Sequence, residues 1–529
     1  MPVLSVVDVR RIQRYVFGSN ILRHNVGASA LVEQAVSDWV FDSLREPHNV
    51  RDGNIVDLRM ERDSLAAEVI YSGGGNAAVI FADMEEARQF ARRYTAKVLL
   101  EAPGLEVTLA HSDPFIWETE SLARVLDKIM QRVAVKKLAV TGPTPLLGLS
   151  VTAACDFTGL PAVGTDEEDK LVSAEVEAKT EAALKGRPKF EQKLNRELES
   201  QGYTMARDFD HFGRSKGESS YIGIIHTDGN GMSRRKKRIG EQFSACDKNR
   251  EYILAMRRFS RSVAKAVDDA LLATLQAILS VVERISIDGT SREVIAGTVE
   301  IRDKRIPFRP IVVGGDDVTL VVDGRLALSV AAFYLERFSS STLADGKPAY
   351  ARAGVAIVKT HYPFARAYAL AEELCASAKK CIQERCDPPY NEEGLSALDW
   401  HIATTGFLGS LEEMRERSGE GKLHLRPLRL TSPDKDWRSW RAFTEVVEDF
   451  QKGPSWAGRR NKVKALRDAL RDRGDAVKDF LRNYQCSLHL PEDWPPSLAE
   501  TGWYGDTCGY FDAIEAMDFY TPLAKGDMV

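Results

Sequence analysis

The 529-residue chain writes one pattern twice, and that repetition restricts it to folds assembled from two similar halves. In the second writing, the β-rich run "YIGIIHTDGNGM" (221–232) ends on Asp228 and a glycine-rich turn. Next comes "REYILAMRRFSRSVAKAVDDALLATLQAIL", whose apolar residues recur at i, i+3 and i+4, the spacing of an amphipathic helix. "FRPIVVGGDDVTLVVDG" then gives two strand-like runs joined through Gly314, Gly315, Asp316 and Asp317. "LALSVAAFYLERF", "YARAGVAIVKT", "HYPF" and "ARAYALAEELCASAKK" complete the order β-α-β-β-α-β-α, that of a ferredoxin-like or palm domain. The N-terminal writing has the same parts. "LSVVDVRRIQRYVF" carries Asp8, "ASALVEQAVSDWVFDSL" is helical, and "AEVIYSGGGNAAVIFAD" is the glycine hairpin. "MEEARQFARRYTAKVLL", "LEVTLAH", "SDPF" and "ESLARVLDKIMQRVAVKK" follow. Both units place Pro-Phe before the final helix (Pro114-Phe115 and Pro363-Phe364) and Lys-Lys near its end, so the chain is a degenerate internal duplication.

The expected class is α+β: two ferredoxin-like palm domains plus a helical insert and a helical C-terminal domain. The divisions are a degenerate first palm over 1–145, a linker and charged helical insert over 146–215, a second palm over 216–400, and the helical domain over 401–529. The insert, "CDFTGLPAVGTDEEDKLVSAEVEAKTEAALKGRPKFEQKLNRELES", reads as a loop followed by a solvated helical stretch. "SWAGRRNKVKALRDALRDRGDAVKDFLRNY" alternates charge and reads as a solvated helix face rather than a nucleic-acid groove. A formal net charge of −5 gives no global basic field, so any nucleic-acid site must be local. The run "RRKKR" (234–238) is one place for phosphate attraction and equally an ordinary solvated segment. No apolar run reaches the roughly eighteen residues of a membrane span, and the start lacks a basic-then-apolar leader. Seven scattered cysteines make neither a disulfide framework nor a CxxC zinc pattern, and Cys381 and Cys386, the closest pair, read as thiols on a helix. A reducing cytoplasm fits that usage. No adjacent His-Asp dipeptide occurs, and His226, inside an apolar run, reads as a packed histidine.

Topology gathers the aspartates. A strand–helix–strand crossover returns the chain parallel to its start, which brings the end of the first strand to the same sheet edge as the hairpin turn. Asp228 therefore belongs beside Asp316 and Asp317. Gly314 and Gly315 supply φ freedom and let a phosphate approach the backbone. Hard cations such as Mg²⁺ or Mn²⁺ take one or two carboxylates plus substrate phosphates, and two such ions can drive an in-line displacement. Gly229, Asn230 and Gly231 open toward a helix whose N-terminal amides can hold phosphate. On its own "GGDD" is an ordinary turn sequence, but burying its charges together without a cation would raise their pKa values and cost stability. In the first unit Gly75 and Asn76 stand where Asp316 and Asp317 stand in the second. That unit keeps Asp8 but lacks both hairpin carboxylates, so it is expected to be a non-catalytic partner that lines a nucleotide pocket with backbone and glycines.

The pairing of "GGGN" and "GGDD" palms, with "DGNGM" and "AGVAIVKTHYPFARAYALAEELCASAKK", resembles the large polymerase/cyclase subunit of type III CRISPR effector complexes, whose palms are related to those of GGDEF nucleotide cyclases. The likeness is clearest over 221–400, fair over 1–140 and weaker in the tail through "GRRNKVKALRDAL" and "FDAIEAMDF". It implies a GGDD palm that binds Mg²⁺ and ATP and joins ATP into cyclic oligoadenylates, an antiviral signal. Carried over, Asp228, Asp316 and Asp317 are the metal ligands, Gly314 and Gly315 face the nucleotide, and Lys379 reaches the triphosphate. Lys379 reads equally well as a solvated lysine near a helix end. Implied partners are guide RNA, target RNA and RAMP-type subunits. Three departures stand out. The chain begins directly with the first palm, so nuclease activity of the His-Asp type is not expected. Only Cys155 remains of the cysteine cluster between the palms, so no zinc is expected. The second acidic position of the first-strand motif is Asn230. Two alternatives stay open: a non-catalytic scaffold subunit, and a synthase of cyclic dinucleotides from other nucleoside triphosphates.

Overall fold

The computed structural model describes residues 1–139, 151–185, 189–212, 220–287, 289–384, 394–403, 411–416, 421–430 and 436–523. Cys386 lies outside them. The first palm contains β1 (Val3–Arg10), α1 (Leu22–Val36), β2 (Ala67–Gly73), β3 (Asn76–Phe81), α2 (Met84–Glu101), β4 (Glu106–His111) and α3 (Leu122–Ala139). Its sheet has the order β2-β3-β1-β4, with β1 antiparallel to both neighbours. The insert supplies α4 (Ala174–Lys185) and α5 (Lys189–Ser200). The second palm contains β5 (Tyr221–Gly229), α6 (Met232–Gln242), α7 (Asn249–Ser280), β6 (Phe308–Gly314), β7 (Asp317–Asp323), α8 (Ala327–Ser339), β8 (Ala351–Lys359) and α9 (Phe364–Gln383). Its sheet runs β6-β7-β5-β8 and is extended by β9 (Ala397–Ala403), parallel to β8, and the short β10 (Leu428–Arg429). The expected β-α-β-β-α-β-α order and the duplication are therefore present.

The match reaches single residues. Asp8 pairs with Asn76 across β1 and β3, and Gly73 pairs with Asn76 across the hairpin. In the second palm Gly314 pairs with Asp317, and Thr227 pairs with Val318, so one further step sets Asp228 opposite Asp317. Both hairpins carry a bulge at the same point, between Val69 and Tyr71 in one and between Pro310 and Val312 in the other. Such an extra residue bends the strand and raises its twist, and its repetition marks it as part of the shared plan.

Strand β1 is buried along its whole length and reads as a nearly unbroken apolar run because both faces are covered. Its alternate residues feed different cores: Leu4 and Val6 join the larger cluster, Val3, Val7 and Val9 the smaller. Both clusters also contain residues of the second palm, so the two palms share their interiors. One long helix of each palm crosses to its neighbour, α1 against β6 and α7 against β2. Glu68 of β2, wholly buried, fixes the second crossing through Arg250 and Arg257 of α7, at 2.6 and 2.7 Å.

Three regions differ from the sequence-based expectation. The insert is not simply solvated. Gly27 of α1 lies so close to α4 that an added Cβ would stand 1.7 Å from the Lys179 carbonyl oxygen. Lys179 itself is buried, donating to the Tyr15 carbonyl at 2.6 Å and pairing with Glu175 at 2.5 Å. A small three-stranded sheet over Val282–Glu300 interrupts the path from α7 to β6. Strand β9 spans the division drawn at residue 400, since a strand can be added wherever a sheet edge is open. Beyond it the chain is mainly helical: Trp440–Lys452, Arg460–Arg471, Gly474–Tyr484 and Phe511–Ala516 are its longer helices. In Arg460–Arg471 only Val463, Leu466 and Leu470 are buried, which leaves its charges on the outer face. No helix among the described residues is long and apolar enough to cross a membrane.

Candidate functional site

The site grows from the ends of three neighbouring strands. Asp228 ends β5, Asp317 opens β7, and Arg352 pairs with Asp228 from β8. Residues opposed across a sheet share a face, so Asp317, Asp228 and Arg352 stand in a row on the α9 side. His226 confirms that face: its Nδ1 lies 3.4 Å from Asp317 Oδ1, and its ring meets Tyr368 of α9 edge-on at 5.4 Å. Asp316 occupies the turn and packs on Gly229, where an added Cβ would lie 2.7 Å from both its Cβ and its Oδ2. Asp317 opens the strand on the α9 face, whereas Asp316 belongs to the turn and rests on Gly229. All three carboxylates lie at the rim of the sheet, with Asp228 near enough for its charge to act on both of the others.

Of the two hairpin glycines before the aspartates, only Gly315 needs the left-handed region, at φ +69°. Gly314 has an ordinary φ, so the expectation of conformational freedom holds for one glycine of the two. The first palm's turn requires it at Gly74 and Gly75, φ +62° and +82°. In the second palm the position matching Gly75 has an ordinary φ, which is why a residue with a side chain, Asp316, can stand there. The two turns touch tip to tip, an ideal Cβ on Gly315 falling 3.3 Å from Gly74 Cα.

Around this contact lies a cavity of about 720 Å³, in the range of small-molecule sites. Gly73, Gly74, Gly75 and Asn76 line it from one palm and Gly314, Gly315, Asp316 and Asp317 from the other. The exchanged helices form its walls, with Ser29 and Glu33 from α1 and Ser260 and Asp268 from α7. Lys236 also faces it, bringing one residue of the basic run to the site. Its neighbour Arg235 turns inward to Asp345 and the Pro348 carbonyl, so the run is half structural.

Electrostatics show what the corner lacks. Burial first, then the Asp228 charge, pushes Asp316 up to about 6. Burial, then Asp228, Asp316 and Glu372, pushes Asp317 up to about 8. Although 43% of the Asp317 side chain is exposed, its Oδ1 is sealed from solvent and has no hydrogen-bond partner. His226, held near 4 by burial and by Arg352, is neutral and offers no compensating charge. Crowded carboxylates with an orphaned oxygen are the condition a divalent cation relieves, and they fit Mg²⁺ or Mn²⁺. They are not a closed shell. Among the described residues, the one group of three acidic or histidine side chains with every ligand atom within 4.8 Å is His424, Asp512 and Glu515. Arg426 already fills that group, 3.5 Å from Asp512 and 3.4 Å from Glu515.

The other expected site residues divide. Gly229 supports Asp316, and Gly231, at φ +68°, caps α6. Asn230 is turned inward: its Nδ2 donates to the Leu395 carbonyl at 2.8 Å and its Oδ1 accepts from Arg352 Nη1 at 2.7 Å. It is 2% exposed and is not on the cavity wall. Lys379 is half-buried on α9, one turn beyond Cys375, and is likewise absent from the wall. Arg352 was not anticipated. The signal was present as a lone charge inside the apolar strand "YARAGVAIV". In the first palm Asp8 lies opposite Thr108 and is neutralised instead by Lys137 of α3, 2.6 Å away.

No protein-family model and no curated protein matches the chain. Solved structures do. A structure of the Csm1–Csm4 cassette with pppApApA matches with a TM-score of 0.51 and 13% identity, over 98% of this chain and 69% of that one. Cassettes with cA4 and with AMPPNP match with TM-scores of 0.50, at 13% and 14% identity and the same coverage. At such identities the likeness establishes a shared fold: two palms with their helical additions.

Proposed function

We propose that the chain is a divalent-metal-dependent nucleotidyltransferase that joins ATP into oligoadenylate and closes it into a ring, as a signal in type III CRISPR-like defence. The observation that carries this reading is the pair Asp316 and Asp317 on the wall of a cavity floored by two opposed glycine hairpins, with Asp228, off the wall, near enough for its charge to act on both. The ribose 3′-hydroxyl of one ATP attacks the α-phosphate of another; the new P–O bond forms as the α–β bond breaks, and pyrophosphate leaves. Asp228, Asp316 and Asp317 would hold the ion, which supplies charge neutralisation at the phosphates when bound. In the ionised form that a bound ion would hold, Asp317 Oδ1, which has no hydrogen-bond partner among the described residues, would accept the proton of the attacking hydroxyl. The glycine turns admit phosphate against bare backbone, and Lys236 adds a positive charge beside Asp316. The first palm, with Asn76 in place of a carboxylate, positions a nucleotide without reacting it.

Fold likeness to Csm1–Csm4 cassettes bound to pppApApA and cA4 supports this choice of substrate and product, and suggests a RAMP-type partner; guide and target RNA enter the proposal from the sequence resemblance alone. One observation favours a scaffold role instead: Arg352 already engages Asp228, and the three carboxylates do not form a ready shell. Labelled ATP with Mg²⁺, with and without RNA, separates the two. Oligoadenylate that disappears in the Asp316→Ala/Asp317→Ala double variant supports the enzyme. No product under any condition, with that variant still assembling normally, supports the scaffold.

A further inference from the structure

Arg352 is the least expected residue at this corner. It is 5% exposed, inside a strand otherwise apolar up to its last residue, Lys359, and every contact of its guanidinium that bears on the site runs to the end of β5. Nη2 pairs with Asp228 Oδ2, Nη1 donates to Asn230 Oδ1 at 2.7 Å, and the same nitrogen approaches the Gly229 carbonyl at 3.4 Å. A planar, permanently charged fork held this way is pre-organised and keeps its charge at any working pH. The duplicated palm gives an internal comparison. There the strand position beside Asp8 is Thr108, and the compensating charge is a lysine from the last helix. In the second palm the charge has moved onto the strand itself and sits on Asp228, one of the three clustered carboxylates.

We propose that Arg352 is a positioning residue that takes the place of one of two cations: it neutralises Asp228 and draws it from the shared shell, so that the corner accepts a single divalent ion through Asp316 and Asp317, with Asp228 at its margin. This rests on the metal reading given above. Charge balance agrees with it. With all three carboxylates ionised, the form a bound ion would hold, one guanidinium leaves a charge of minus two, which one divalent ion neutralises. The spread of the aspartate oxygens, wider than a closed shell, is the geometric counterpart. The function of the pairing is to leave one ion-sized position empty until a triphosphate brings its own charge.

The test counts Mn²⁺ bound to the full-length protein without nucleotide, by titration calorimetry and by the free-Mn²⁺ spin-resonance signal. Wild type is expected to bind one ion at the corner, Arg352→Ala two, and Arg352→Lys, which keeps the charge, one. Thermal melts of each variant check that it is folded; if Arg352→Ala does not fold, Arg352→Gln replaces it with the same expectation. Unchanged stoichiometry and affinity in the folded, uncharged variant overturn the proposal while leaving the metal corner intact. Mn²⁺ binding that is the same in Asp316→Ala/Asp317→Ala as in wild type instead overturns the metal reading, and this proposal with it.

Discussion

Replacing Gly229 by alanine tests the corner without touching any carboxylate. The added methyl would lie 2.7 Å from Asp316 Cβ, 2.7 Å from its Oδ2 and 3.0 Å from Met232 Cε. Carbon atoms in contact settle at about 3.5–4.0 Å, so Asp316 and its turn must retreat by about 1 Å. The methionine end can swing aside, but Asp316 Cβ is fixed by a two-residue turn whose other side rests on Gly74. A misplacement of about 1 Å costs about 10²-fold in rate, or about 2.7 kcal/mol of barrier. Overpacking at one site costs about 1–3 kcal/mol of stability, which a chain of this size with two shared cores survives. Initial rates of oligoadenylate formation from labelled ATP, read beside a thermal melt, should therefore show a folded protein with activity reduced about a hundredfold. Wild-type rates in folded Gly229→Ala would refute the placement of Asp316 in the reaction.

The carboxylate shifts set a pH dependence. Asp316 and Asp317 are raised to about 6 and about 8, so the folded state binds these protons more tightly than the unfolded chain. The stability they lend is complete below the unfolded carboxylate range and is lost as pH rises through 6 and 8. Metal-free protein should therefore melt at lower temperature as pH rises across that window, and saturating Mg²⁺ should flatten the profile; a melt insensitive to both contradicts it. Glu68 is wholly buried between Arg250 and Arg257, and removing one partner of a buried pair costs about 3–5 kcal/mol, so denaturant unfolding of Glu68→Ala should show a loss of that size. Gly354→Ala would set a methyl 2.0 Å from the Ala371 carbonyl oxygen and 2.3 Å from the Cys375 amide nitrogen. Helix α9 must lift from the sheet, and soluble yield and melting temperature should fall together.

Much of this was legible in the chain because duplication is a long-range signal. Strand, glycine turn and strand recur in one order, and topology alone then places Asp228 beside Asp316 and Asp317. Single positions were harder. Asn230 looks like a site residue by its place in the glycine-rich turn and Lys379 by the family resemblance, but whether a side chain points at a cavity depends on its neighbours, and those of Asn230, Leu395 and Arg352, arrive from distant sequence. Arg352 stood in plain view as a charge in an apolar strand, but its partner became known only with the pairing of β5 and β8. Asp317 opens a strand while Asp316 belongs to the turn before it, a difference that the motif read as a unit conceals. The buried Lys179 in a segment of high charge shows the same limit: composition describes exposure on average, and one helix crossing at Gly27 reverses it.

Diffraction from crystals soaked with Mn²⁺ and a non-hydrolysable ATP analogue, recorded at the manganese edge, locates the ion and the phosphates together. The expected result is an anomalous peak at the rim bounded by Asp316, Asp317 and Asp228, with the triphosphate against the two glycine turns. A nucleotide bound elsewhere, or manganese found only beside His424, Asp512 and Glu515, would contradict it.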